Sequence, residues 1–188
     1  MAASVGVSLA GNSHGLGLGS DGYRALVEAA IAAYPNECCG LLVGRREPAP
    51  DSDDRTVVEV VALNNAWEPS LLEYTDSQDA LGQDQAVGEH SNRDRYWIDP
   101  ADMLAVQRSA RERRLEIIGV FHSHPDHAAV PSECDRTLAW PVYSYVIVSV
   151  VKGEVADLKS WRLNEQNQFE PEPVKMIGSS ANKAPFLS

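Results

Sequence analysis

Two histidines separated by a single residue, His122 and His124, follow an apolar segment that reads as a buried strand. Because side chains alternate between the two faces of a strand, both imidazoles are expected to point to the same side and could bind one ion. Pro125 then turns the chain, and a loop leads to Asp135, which could add an oxygen ligand. Three protein ligands with one open position are typical of catalytic zinc sites, whereas structural sites are closed by four.

These residues also have ordinary structural interpretations. Ser132 and Asp135 have the spacing of a helix N-terminus, where a serine caps the backbone and an acid is favoured by the helix dipole. The two interpretations are compatible, because a cap can hold a ligand rigid. Cys134 could compete for zinc, but a position outside the ligand set is favoured. His127 is expected to face solvent, with a place in a substrate groove as the alternative.

The spacing of four of these residues resembles the signature of the JAMM (MPN+) zinc metallopeptidases. That pattern is His-x-His, seven residues, Ser, two residues, Asp, and it is met without a gap by His122, His124, Ser132 and Asp135. The family also has an upstream glutamate, and the segment Glu-Cys-Cys-Gly-Leu-Leu-Val-Gly that begins at Glu37 is similar to the segment that carries it. Further similarity over 95–100 and 117–121 extends the resemblance to about 23–163.

The resemblance implies a role for each of these residues. His122, His124 and Asp135 would bind Zn²⁺, and Glu37 would take a proton from the metal-bound water and later give it to the leaving amine. Ser132 would donate a hydrogen bond to the tetrahedral oxyanion. Proton relay by a carboxylate and stabilisation of developing charge by a hydroxyl are both established catalytic devices. The implied reaction is hydrolysis of an amide or isopeptide bond.

The small prokaryotic members of the family are the most similar, through the segments 34–40 and 122–127. For these, the resemblance implies a protein substrate, a ubiquitin-like sulfur carrier that ends in Gly-Gly, from which a C-terminal cysteine or extra residues are released. Two other functions remain open: a small-molecule zinc amidohydrolase or deaminase, and a non-catalytic scaffold. Zinc deaminases use His-x-Glu and Pro-Cys-x-x-Cys, which this sequence lacks, and scaffolds have lost ligands that are all present here.

The elements that must hold these residues follow from the spacing of apolar side chains. Helices are predicted over 21–34 with Ser20 or Asp21 as cap, over 99–114 with Asp99 as cap, and over 132–140. Strands are predicted over 38–43, 56–63, 115–121, 143–151 and from a turn at 152–153 to 163, with 45–54 as the turn after the first strand. This order predicts an α/β fold with a mixed, mainly antiparallel sheet flanked by helices. The resemblance implies the MPN/JAB fold, which is similar to that of cytidine deaminases.

The chain divides into three predicted parts. Residues 1–19 are expected to form a flexible lead-in, 20–163 the catalytic domain, and 164–188 an irregular tail. Within the domain, 66–92 carries six acidic residues and no lysine or arginine, and is expected to be either a flap over the cleft or a disordered insertion.

The composition of the 188 residues is that of a globular protein with one core. A net charge of −11 argues against binding to nucleic acid, which requires a clustered basic face. No apolar run is long enough to span a membrane, no signal peptide is recognisable, and three cysteines, two of them adjacent, do not form a disulfide framework. We therefore expect a reduced, cytoplasmic protein; its oligomeric state does not follow from the sequence.

Overall fold

One eight-stranded sheet organises residues 15–49, 52–71 and 90–178, the part of the chain that this computed structural model describes. The strands are β1 (Leu16–Gly19), β2 (Cys39–Ala49), β3 (Ser52–Leu63), β4 (Glu116–Pro125), β5 (Ser144–Val151), β6 (Glu154–Leu163), β7 (Phe169–Glu172) and β8 (Val174–Ile177). Their spatial order is β7-β6-β5-β4-β2-β3-β1-β8. The pairs β1–β3, β1–β8 and β4–β5 are parallel and the other four are antiparallel, which confirms the predicted mixed, mainly antiparallel sheet.

Helices cover both faces of the sheet. Helix α1 (Ser20–Ala33) buries Leu26 and Ala30 in a core with residues such as Leu42. Helix α2 (Pro100–Glu112) packs on the other face, where Ala110 meets Val43, the neighbour of Leu42 on β2. Because successive side chains of a strand point to opposite faces, this central strand is covered on both sides. No helix among the described ranges is both long and apolar enough to cross a membrane.

The predicted helix ends are confirmed to within two residues, but the first cap is not. Asp99 caps α2 by accepting a hydrogen bond from the N–H of Ala101 at 2.7 Å. For α1 the prediction of Ser20 or Asp21 as cap is wrong: the cap position is Gly19, which makes no side-chain hydrogen bond. The reason is that β1 runs directly into α1, so the extended residue before the helix is the last residue of a strand.

The predicted turn at 45–54 is also wrong over 45–49 and 52–54, where the β2–β3 ladder continues, and the middle of this turn lies outside the described residues. Arg46 pairs with Arg55 in the ladder, and the last pair is Ala49 with Ser52. Asp53 lies 3.1 Å from the guanidinium of Arg55 and 3.8 Å from that of Arg46. These opposite charges compensate the arginines within the ladder, an interaction that strand propensity does not reveal.

Short strands form at both ends of the described chain, where irregular segments were expected. In the predicted lead-in 1–19, Leu16 and Leu18 are fully buried in β1. In the predicted tail 164–188, β7 and β8 lie at opposite edges of the sheet although only Pro173 separates them. The sheet must therefore curve until its two edges meet, and the carbonyl of Pro173 accepts a hydrogen bond from Leu16 N–H at 2.9 Å. Strands of four residues are too short for a periodic pattern to predict.

Glu172, at the end of β7, links this strand to β5 and β6 through hydrogen bonds. It is buried, and its carboxylate accepts hydrogen bonds from Ser144 Oγ at 3.1 Å and Ser160 Oγ at 2.6 Å. Glu172→Ala should lower the free energy of unfolding by about 3 kcal/mol, because breaking a buried charged network leaves its partners uncompensated. Urea denaturation measures this loss, with Glu170→Ala on the same strand, where the side chain is exposed, as control. A difference between the two variants below about 1 kcal/mol would contradict the assignment.

The predicted insertion at 66–92 is described only at its ends. A short 3-10 helix covers Pro69–Leu71, and the chain is described again from His90. The choice between a flap and a disordered insertion lies outside the described residues.

Candidate metal centre and active site

Strand β4 brings the two histidines together. The strand was predicted to end at Phe121, but it continues to Pro125, so His122 and His124 both lie within it. His122 pairs with Cys39 of β2 and with Ile147 of β5, which places it in the centre of the sheet. The Nε2 atoms of the two histidines lie 2.9 Å apart. The same-side orientation predicted from the period of a strand is therefore observed.

Asp135 reaches this pair from the first turn of helix α3 (Glu133–Leu138). Its Oδ1 lies 3.3 Å from His122 Nε2 and its Oδ2 lies 3.6 Å from His124 Nε2. Ser132 caps the helix by accepting from Asp135 N–H at 3.1 Å, while its own N–H and hydroxyl donate to Asp135 Oδ2 at 2.6 and 2.7 Å. The capping interpretation of Ser132 is thus observed, and the cap holds the carboxylate of Asp135 against the histidines.

The donor atoms fit a zinc ion. One donor atom from each of His122, His124 and Asp135 lies within 4.8 Å of the others. The Nδ1 of His124 lies 2.9 Å from the carbonyl oxygen of Ala128, to which it can donate a hydrogen bond, and this would leave Nε2 with a lone pair directed at the group. Tyr96 stacks on the imidazole of His122, with ring centroids 4.5 Å apart. Two imidazole nitrogens and one carboxylate oxygen are a common catalytic zinc ligand set.

Negative charge is concentrated on Asp135. Burial would raise its pKa, but the proximity of His122 and hydrogen bonds from both histidines and Ser132 hold the pKa well below its usual range. Burial lowers the pKa of His124, yet the hydrogen bonds to Asp135 and Ala128 outweigh it and the net pKa is raised. An ionised carboxylate beside two imidazoles attracts a cation.

Glu37 lies just before β2 and is 6% exposed. It lines the same cavity as His124, Ser132 and Asp135. Burial raises the pKa of Glu37 to about 8, although the proximity of His124 lowers it. A carboxyl group whose pKa lies near neutrality can both accept and return a proton. Its neighbours Cys38 and Cys39 are buried, and burial raises their thiol pKa values to about 11 and about 12, which is consistent with small core residues.

The sequence predictions missed Asn65, whose side chain holds the site together. Its amide nitrogen donates to the carbonyl oxygens of Glu37 at 3.2 Å and Arg95 at 2.9 Å. Its amide oxygen accepts from the N–H groups of Trp67 at 3.0 Å and Trp97 at 3.1 Å. Asn65 therefore joins the backbone of Glu37 to the segment that carries Tyr96. The only local signal was a polar residue just after an apolar strand.

Asn65→Asp should lower the free energy of unfolding by about 2 kcal/mol, because a carboxylate cannot donate to the two carbonyl oxygens that the amide satisfies. Urea denaturation is the measurement, and Asn64→Asp, the same change at the adjacent exposed residue, is the control. Equal stability of the two variants would show that the four hydrogen bonds of Asn65 are not important.

The remaining predicted residues also have defined places. Cys134 lines the cavity but is not part of the group of possible metal ligands formed by described residues. His127 is exposed, as expected, and also lines the cavity. The alternative, a place in a substrate groove, stays a prediction.

A mixed sheet between helices, with two histidines on one strand and an aspartate on a nearby helix grouped as possible metal ligands, is the arrangement of the JAB/MPN class of domain. Residues 20–164 match the family of prokaryotic homologs of the JAB domain, and the chain belongs to this family.

Individual relatives agree with this assignment. The chain is 31% identical to a desampylase of Haloferax volcanii over 124 residues, which are 65% of this chain and 68% of the relative. It is 26% identical to a CysO-cysteine peptidase of Mycobacterium tuberculosis over 159 residues, 84% of this chain and 88% of the relative. The solution structure of a protein from Desulfitobacterium hafniense superposes with a TM-score of 0.66 at 27% identity, covering 87% of this chain and 94% of that protein.

Proposed function

We propose that this protein is a zinc-dependent peptidase that hydrolyses an amide bond at the C-terminus of a ubiquitin-like protein. The observation that carries the proposal is that His122, His124 and Asp135 are grouped as possible metal ligands, and that two of them, His124 and Asp135, line one cavity with the buried carboxyl group of Glu37. The names of the relatives, a desampylase and a CysO-cysteine peptidase, support a substrate of the ubiquitin-like or sulfur-carrier type.

In this proposal His122, His124 and Asp135 hold the zinc ion. When bound, zinc supplies Lewis acidity, which polarises a carbonyl oxygen and makes water a nucleophile near neutral pH. The cap at Ser132 keeps Asp135 in place, and the stacked ring of Tyr96 restricts the orientation of His122. The ligands are therefore held before any substrate arrives, and preorganisation of this kind lowers the cost of reaching the transition state.

Glu37 moves the proton. It removes a proton from the attacking water and delivers it to the nitrogen of the leaving amine as the amide C–N bond breaks. Its place in the cavity beside His124 and Asp135 suits both halves of this task, because the same group must act first as a base and then as an acid. The hydroxyl of Ser132 donates a hydrogen bond to the oxyanion of the tetrahedral intermediate. To do so, it gives up the hydrogen bond that it otherwise donates to Asp135.

The tail of the substrate enters along an apolar groove of about 570 Å³ beside the cavity. Tyr96 and Leu138 line both the groove and the cavity, so the groove adjoins the site. A tail that ends in Gly-Gly has no side chains at its last two residues, so it needs little room where the groove meets the cavity. A carrier protein with this ending is the substrate that we infer.

Mass spectrometry tests the proposed function directly. The zinc-loaded protein is incubated with a ubiquitin-like carrier whose Gly-Gly terminus bears one additional residue, and the intact mass of the carrier is followed. We expect loss of that residue with zinc and no loss after treatment with a chelator. An unchanged mass, with a characterised family member active on the same sample, would refute the proposal.

A further inference from the structure

Two arginines line the cavity, and the proposed mechanism leaves them without a role. Arg93 and Arg95 line it together with Glu37 and His124. Its volume is about 200 Å³, below the roughly 300 to 1,000 Å³ of pockets that hold drug-sized ligands. The arginines therefore face a compartment suited to a small group.

Two of the three acidic residues that line this cavity, Asp94 and Asp135, already have partners. Asp94 Oδ2 lies 2.6 Å from His90 Nδ1, and its Oδ1 accepts from Ser91 N–H at 2.8 Å. Asp135 is held by the two histidines and Ser132. Counter-charges inside the cavity are thus largely engaged, and a cation that remains can act on an incoming anion.

Arg93 is such a cation. Arg95 is engaged, since its guanidinium donates to the carbonyl oxygen of Asp94 at 2.6 Å and lies 3.2 Å from His90 Nε2. Among the described residues, none forms a side-chain hydrogen bond or an ion pair with the guanidinium of Arg93, which is exposed at the cavity, although its charge is close enough to lower the pKa of Asp126. A guanidinium binds a carboxylate through two parallel hydrogen bonds, so this exposed arginine matches a carboxylate ligand.

The backbone holds Arg93 close to the proposed general base. Its N–H donates to Ser91 Oγ at 3.3 Å, within a turn closed by the bond from Asp94 N–H to the carbonyl of Ser91 at 3.1 Å. The carbonyl of the preceding residue, Asn92, accepts a hydrogen bond from Glu37 N–H at 2.6 Å. A ligand that reaches Arg93 is therefore near the bond on which Glu37 acts.

The residues that line the cavity indicate on which side of it a leaving group would lie. Tyr96 and Leu138 are shared with the apolar groove, whereas Arg93 and His127 line only the cavity. If the substrate tail arrives along the groove, as the proposed function has it, the group beyond the scissile bond lies toward Arg93.

We propose that Arg93 forms a subsite for the free α-carboxylate of the residue that leaves. The subsite rests on the proposed function. It narrows the substrate class to carriers extended by one C-terminal amino acid, and it disfavours isopeptide bonds to a lysine side chain within a protein. Water adds across the amide: its oxygen becomes part of the new carboxylate of the carrier, the C–N bond breaks, and the amino acid leaves with the transferred proton on its nitrogen.

A matched pair of peptides tests the subsite. Both end in Gly-Gly-Ala, one with a free carboxylate and the other with an amide in its place. The wild-type protein should favour the acid by about tenfold or more in kcat/KM, the size expected for a hydrogen-bonded ion pair. Arg93→Ala should bring this ratio close to one, Arg93→Lys should restore part of it, and Arg108→Ala, an exposed arginine on α2, should leave it unchanged.

Binding separates failure of the subsite from failure of the proposed function. In a Glu37→Gln background, fluorescence anisotropy of the labelled peptides should give a lower Kd for the acid than for the amide, and Arg93→Ala should abolish the difference. This measurement needs no turnover, so it decides the subsite even if hydrolysis is not observed. Equal Kd values for acid and amide, or an acid preference that persists in Arg93→Ala, would overturn the proposal.

Discussion

Glu37→Gln is expected to lower kcat by about 10²- to 10⁴-fold, the usual contribution of a general acid–base group. The amide has nearly the shape of the carboxyl group but cannot accept and return a proton. Because Glu37 is not among the grouped metal donors, the zinc content should remain at the wild-type level. Single-turnover hydrolysis and metal analysis of the same sample give the two quantities.

The matched control is Glu28→Gln, the same chemical change at an exposed position of α1. The control should retain wild-type kcat. Retention of a tenth or more of the activity by Glu37→Gln would assign proton transfer to another group.

Glu37→Gln should also change the stability of the metal-free protein. Burial raises the pKa of Glu37 from its ordinary value of 4.5 to about 8, so the folded state binds the proton more tightly than the unfolded state. As pH rises from 4.5 to 8, ionisation in the unfolded state therefore removes stability. Glu37→Gln should be more stable than the wild type at pH 7 and less different near pH 4. Active sites commonly hold catalytic groups at positions where these groups lower the stability of the fold.

The other large effect is expected at the metal ligands. His122→Ala and Asp135→Ala should each reduce bound zinc from about one per chain to a small fraction, since each removes one of three protein ligands. Activity should fall below detection in both. Inductively coupled plasma mass spectrometry after dialysis against a weak chelator measures the zinc that remains.

His127→Ala is the matched control for metal content, because His127 lies three residues beyond His124 but outside the group of donor atoms. This variant should keep its zinc. Asp135→Ala should also be less stable than His127→Ala without metal, because Asp135 completes the capping box of α3. Full zinc content in His122→Ala would place the metal elsewhere.

Where a signal was confined to neighbouring residues, the sequence predicted the structure well. Leu26 and Ala30 have helical spacing and form the buried side of α1, and Asp99 with Pro100 marks the start of α2. The period of a strand brought His122 and His124 to one side, and the spacing of Ser132 and Asp135 predicted the cap of α3. All of these depend on backbone geometry over a few residues, which residue types encode directly.

Where a strand depended on its partner, the prediction failed. The residues at 45–49 and 52–54 pair across the hairpin, β1 and β8 exist because each finds a neighbour distant in the chain, and β7 forms against β6. The ladder supplies hydrogen bonds that a four-residue segment cannot form alone.

By itself, then, the sequence determined the local arrangement of His122, His124, Ser132 and Asp135 and the chemistry that these residue types can perform. Three further features depend on the tertiary structure. The β2–β4 pairing sets Glu37 beside residues more than eighty positions away, and Asn65 holds it there. Arg93 lines the same cavity as Glu37. The reason is physical. Burial, electrostatic environment and contact between distant segments depend on the register and curvature of the whole sheet, to which no short stretch of residues is sensitive.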